Sequence, residues 1–259
     1  MNGAGSLNRP PTLAPVAEVT LRIMLVAAAV CPCPPLLVPE VAAGAAPELD
    51  AARDACADVL GVLAAARPDR LVVVGPAGQD GQFPQGSRGS FRGFGVDLDV
   101  RLGRGGDTAS PQTRLPASLA VAAWLLDRTG WADTPVEGLG VGGSRAVEQC
   151  VQAGRDIAGS AGRVALLVMG DGSACRTLKA PGYLDDRATG FDTEVARALG
   201  DADIAALKAL DVQLAHELKA AGRAPWQILA GAAENADLGG SLLYDDAPYG
   251  VGYLVAAWS

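Results

Sequence analysis

Val164-Ala165-Leu166-Leu167-Val168-Met169, running directly into Gly170-Asp171-Gly172-Ser173, organises the reading of this chain. Six apolar residues without a polar interruption suit a strand covered on both faces, as in a parallel sheet flanked by helices. The glycines then permit a tight turn, and Asp171 and Ser173 are residue types that bond nearby backbone amides. The same grammar occurs twice upstream. Residues 23–30 are continuously apolar and end at Cys31-Pro32-Cys33-Pro34, and residues 70–74 end at Gly75-Pro76-Ala77. Three buried strands, each stopped by Gly or Pro, therefore anchor the prediction.

Helical patterns fill the intervals. Over residues 47–66, Ala52, Ala55, Cys56, Val59, Leu60 and Leu63 recur at three- and four-residue spacing, which predicts an amphipathic helix. Helices are also expected over 116–129, where Pro116 suits a first turn, and over 144–158, 191–199, 204–221 and 226–234. Further strands are expected over 97–102, 136–141 and 251–258. Residues 78–95, rich in glycine and holding Phe83, Phe91 and Phe94, read as a long loop. Strands alternating with helices, without an internal repeat, predict a three-layer α/β/α single domain over residues 23–259. Residues 1–22, aperiodic and rich in Pro, Gly and Asn, read as a disordered leader or an upstream extension. In such sheets sites collect at the loops leaving strand ends, which draws attention to Cys33, Ala77 and Ser173.

Composition narrows the function classes. Of 259 residues, 49% are hydrophobic, ample for one large core, and the net charge is −8 with no basic stripe. Nucleic-acid binding needs Lys and Arg facing phosphates, and an anionic membrane surface needs the same, so neither partner is expected. Five cysteines, an odd number without a spaced framework, point to a reduced, cytoplasmic setting. The apolar run at 23–30 is too short to span a bilayer.

Four blocks carry a family resemblance. They are Ala29-Val30-Cys31-Pro32-Cys33-Pro34-Pro35-Leu36-Leu37, Arg70-Leu71-Val72-Val73-Val74-Gly75-Pro76-Ala77, Met169-Gly170-Asp171-Gly172-Ser173-Ala174-Cys175-Arg176, and Tyr244-Asp245-Asp246-Ala247-Pro248-Tyr249-Gly250-Val251-Gly252-Tyr253. Together they resemble the LigB-type class III extradiol ring-cleavage dioxygenases, a superfamily that includes the Memo-type proteins. The resemblance implies a LigB-like α/β fold and homodimers. Active relatives hold Fe(II) with two histidines and a carboxylate, leaving open positions for a catechol and O₂, and use a further histidine as acid or base. At those positions this chain has Cys33, Ala77 and, for the acid or base, Ala174 or Cys175. The carboxylate position falls on Ala220, with Glu217 one helical turn away. The single histidine, His216, lies in a stretch whose spacing gives it a helix-surface position.

Pocket candidates from this reading are Cys33, Ala77, Asp171, Ser173, Arg176 and Tyr249. Cys33, Cys175 and Glu217 are the side chains able to rebuild a metal site. Cys31 and Cys33, two residues apart on an extended segment, share a face but stand too far apart for a disulfide. Arg176, Lys179, Arg88 and Arg92 are candidates for a positive lining, and Ser173 lacks the histidine a serine nucleophile requires. Three functions are compatible with these residues. The leading one is a divergent dioxygenase homologue, without the standard non-haem iron or any other cofactor, that binds a small molecule or a partner. The second is an enzyme with a rebuilt thiolate and carboxylate site for Fe(II) or Zn(II). The third is a purely structural interaction protein, its old pocket filled by Phe83 or Phe91.

Overall fold

The computed structural model describes residues 24–105, 114–132, 134–160 and 162–259. The expected leader, 1–22, lies outside them. The chain opens with β1 (Met24–Cys31), a short helix α1 (Pro39–Ala42) and the long helix α2 (Asp50–Ala65). There follow β2 (Arg70–Ala77), the short strands β3 (Gly81–Phe83), β4 (Arg88–Ser90) and β5 (Asp99–Arg101), and helix α3 (Ala117–Arg128). Then come β6 (Val136–Gly142), α4 (Val147–Ala158), β7 (Arg163–Met169) and α5 (Arg187–Gly200). Helices α6 (Ile204–Lys208), α7 (Val212–Glu217) and α8 (Arg223–Ala232) precede the closing strands β8 (Gly240–Asp246) and β9 (Tyr253–Trp258).

Seven strands form one mixed sheet in the order β3-β6-β2-β7-β1-β9-β8. Its centre, β6-β2-β7-β1, is parallel, and β9, β8 and β3 add antiparallel edges. The three strands read as continuously apolar are thus neighbours at the centre, where both faces are covered. Alternation along them divides the core in two. Val30, Val74 and Val168 point to the side packed by α4, α5 and α8. Cys31, Val73 and Met169 point to the side packed by α2 and α3.

Two expectations are corrected. The single helix over 204–221 is broken into α6 and α7, because the Asp211 side chain accepts from the Leu214 amide and caps a fresh start. A second cap, from Asp203 to the Ala206 amide, opens α6 in the same way. The loop over 78–95 contains β3 and β4 and buries Phe83 and Phe91, while Phe94 stays exposed. Edge strand β8 left no trace in the hydrophobic pattern, since no residue of it is buried and Leu242 and Leu243 are both exposed. No helix among the described residues is long and apolar enough to cross a membrane.

Candidate functional site at the carboxyl edge of the sheet

The register of the two central strands sets up the site. Cys31 of β1 lies opposite Met169 of β7, and the Gly170 amide donates to the Cys31 carbonyl at 2.9 Å. Two residues beyond that pair, on either chain, stand Cys33 and Asp171. The Cys33 amide donates to Asp171 Oδ1 at 2.8 Å, and its thiol points to Oδ2 at 3.7 Å. Burial pushes the Asp171 carboxyl up to about 6, against the opposing pull of the two Cys33 hydrogen bonds. Burial, and then the charge of Asp171, raise the Cys33 thiol well above its usual range. Cys33 is therefore a neutral thiol at physiological pH and no ready nucleophile.

Tyr253 completes the cluster. It begins β9, which runs antiparallel to β1, so it arrives at the end of β1 where Cys33 departs. The residue is 2% exposed, and among the described residues its hydroxyl has no hydrogen-bond partner. Burial first, then the charge of Asp171, hold this phenol above the ordinary tyrosine value. Tyr249 stands beside it and donates to Glu48 Oε2 at 3.0 Å.

One residue further along, the loop serves a different purpose. The buried carboxylate of Asp192 accepts from the Ser173 amide and the Ser173 hydroxyl, each at 2.7 Å, and from Arg176 Nη1 at 3.1 Å. Gly172 donates to the Gly252 carbonyl at 2.7 Å and Gly252 to the Ser173 carbonyl at 2.8 Å. A Cβ on either glycine would stand 2.7 Å from an Asp192 carboxylate oxygen, so both positions exclude larger residues. Ser173 and Arg176, read from sequence as pocket residues, are committed to Asp192. No periodicity marks Asp192 as special; a lone acid buried on the inner face of α5 was the only available signal.

The remaining candidates are dispersed. The Cys175 thiol donates to the Leu218 carbonyl at 3.4 Å in the core layer opposite to that of Cys33. The Ala174 amide donates to the same carbonyl at 2.8 Å. Ala77 lies at the end of β2, its Cβ against Gly140 of β6. Glu217 pairs with Arg187 at 2.8 Å on the surface. Arg92 pairs with Asp97 and Asp99, Arg88 belongs to β4, and Lys179 is exposed. Cys31 meets the thiol of Cys56, and that contact and burial raise it further than the thiol of an exposed cysteine.

The iron implied by the resemblance has no matching donors here. Ala77 and Ala220 offer only methyl groups, and among the described residues no three His, Cys, Asp or Glu side chains converge as a ligand set. The residues present do not fit a two-histidine, one-carboxylate centre.

Two concavities open nearby. A cavity of about 290 Å³ lies between Gly143, just past β6, and the segment from Ala215 to Ala224, with His216, Lys219, Ala220 and Arg223 in its wall. A wider groove of about 710 Å³ runs along α4 and mixes Arg145, Arg155 and Lys208 with Asp80, Glu148 and Asp156.

No family model matches this sequence, and no curated protein matches it. Among solved structures, the fold is similar to the crystal structure of uncharacterized protein JW3007 from Escherichia coli K12. The TM-score is 0.50 and the identity 14%, over 90% of this chain and 100% of that one. The likeness extends along nearly the whole chain and concerns the α/β fold alone.

Proposed function

We propose that this chain is a divergent, LigB-like homologue of the class III extradiol dioxygenases that binds a small molecule without the standard iron site. The observation that carries the binding reading is the Tyr253 hydroxyl, at the tip of a residue only 2% exposed and without a hydrogen-bond partner among the described residues, beside a carboxyl raised to about 6. A polar group at a recessed strand end that bonds no protein atom is one that a ligand atom can bond. Asp171, Cys33 and Tyr253 together present a short array of donors and acceptors at strand ends, where open α/β sheets take their ligands. The array offers hydrogen bonds rather than a strong nucleophile or a metal ligand set, which favours binding over turnover.

Two measurements test this reading. Metal per chain, determined by mass spectrometry after anaerobic loading with Fe(II) and Zn(II) and removal of excess, is expected well below one; a ratio near one would overturn it. Thermal unfolding against a panel of aromatic acids and nucleotides should show a ligand that stabilises by about 2.7 kcal/mol at 100 times its dissociation constant. That stabilisation should shrink in Tyr253→Phe and Asp171→Asn. A panel without any hit, or a hit indifferent to both substitutions, would count against a ligand at this cluster.

A further inference from the structure

The cavity of about 290 Å³ is lined by Gly143, His216, Lys219, Ala220, Arg223 and neighbouring alanines, and among the described residues every ionisable side chain in that wall is a cation or a histidine. That is unexpected in a chain of net charge −8. Arg223 is the decisive residue. It is 2% exposed, and its guanidinium donates to the Arg145 carbonyl at 2.8 Å, to Gln227 Oε1 at 2.9 Å and to the Gly143 carbonyl. All three acceptors are neutral, and among the described residues no Asp or Glu forms an ion pair with Arg223. A buried charge held only by neutral acceptors lacks the counter-charge that usually accompanies burial.

Lys219 adds a second cation. Its ammonium reaches the Pro181 carbonyl at 3.4 Å, and among the described residues it too has no carboxylate partner. His216, in the last turn of α7, gives a third donor on the same wall. Arg223 and Ala224, the first two residues of α8, also border the space, so the positive end of that helix faces it. Volume sets an upper limit, since about 290 Å³ is at the small end of ligand sites.

We infer that the cavity between the loop after β6 and the start of α8 binds a small anion through an acidic oxygen group, a carboxylate or a phosphate. The site is distinct from the cluster at Cys33, Asp171 and Tyr253: none of those three borders the cavity, and Cys33 lies in the core layer opposite to that of Ala215, Ala220 and Ala224.

Isothermal titration of the full chain with inorganic phosphate, and separately with benzoate, at constant ionic strength tests the inference. Saturable binding of at least one of them is expected, and which one saturates identifies the acidic group. Arg223→Gln should abolish it, although loss of three buried hydrogen bonds also threatens folding. Lys219→Gly is the cleaner variant. Lys219 has φ of 55°, a backbone conformation that glycine adopts without cost, so the substitution removes the charge without loosening the fold. It should weaken the anion about tenfold while leaving the melting temperature unchanged or higher. Lys179→Ala, on the exposed surface, should bind as the unaltered chain does. Absence of saturable binding by both anions, or equal affinity in Lys219→Gly, would overturn the inference.

Discussion

Asp171 and Asp192 are the same residue type held by one loop, and their surroundings differ in kind. Asp192 is buried beneath two glycines and accepts two hydrogen bonds from Ser173 and one from Arg176. Among the described residues, Asp171, partly exposed, accepts only from Cys33, and its carboxyl is raised by burial with no cation to lower it. The first carboxylate fastens the β7 loop to α5. The second is held in place but left electrostatically unsatisfied, the condition of a group kept for something outside the fold. Stability and, in the proposed reading, binding are thus allotted to adjacent turns of backbone, and only the glycine between them belongs to both.

Substitutions should separate the two. Asp192→Ala should be the most damaging, costing about 3 kcal/mol in urea unfolding, since it strands Ser173 and the partly buried Arg176. A loss below about 1 kcal/mol would mean that the fastening is incidental. Gly172→Ala should follow at about 2 kcal/mol, because the new methyl collides with the Asp192 carboxylate.

At the other carboxylate the sign reverses. The Asp171 carboxyl stands at about 6 in the folded chain against an ordinary 3.8, so between those values the native state keeps a proton that the unfolded state has lost. Folding stability contributed by this group is full below 3.8, falls as pH rises through that window, and stays reduced above about 6. Asp171→Asn should remove the slope and be more stable than the unaltered chain at pH 8, with no such gain at pH 3.5. Solvent at the partly exposed carboxylate limits the gain to about 1–2 kcal/mol. Urea unfolding across pH 3.5 to 8 reads this directly, and a parallel pair of stability curves would refute the assignment. The smallest effect belongs to Tyr253→Phe, within about 0.5 kcal/mol, because the hydroxyl it removes has no partner to lose. A larger loss would show that the phenol is structural.

Much of the fold was legible in the sequence because the central strands are apolar on both faces. Residues 70–74 and 164–169 could be nothing else, and the expected 23–30 differs from β1 by one residue at each end. Helix α2 was equally clear, since its apolar positions fall on one face, whereas α3, buried from Ser118 to Leu126, was marked by Pro116 at its start. What escaped notice lacked either signal. Edge strand β8 has no buried face, and the break between α6 and α7 depends on a side-chain cap rather than on hydrophobic spacing.

The site was legible in part. Cys33 and Asp171 were found because strand ends converge, but their direct contact depends on the register between β1 and β7, which no local pattern encodes. Ser173 and Arg176 were placed in a pocket because their partner, Asp192, lies in a helix with no mark of its own. Arg223, standing at the head of an apolar helix with Gln227 four residues on, is a signal that sequence reading passed over.

The position of β1 has a consequence for how the chain is made. It leaves the ribosome before every other element described here, yet its two neighbours, β7 and β9, come from residues 163–169 and 253–258. An eight-residue apolar strand must therefore remain without a partner until β7 has been made, and its second edge is covered only once β9 follows. Such late, long-range pairing slows folding and leaves the nascent chain open to aggregation. Loss of β9 would uncover an inner strand of the sheet rather than trim its margin.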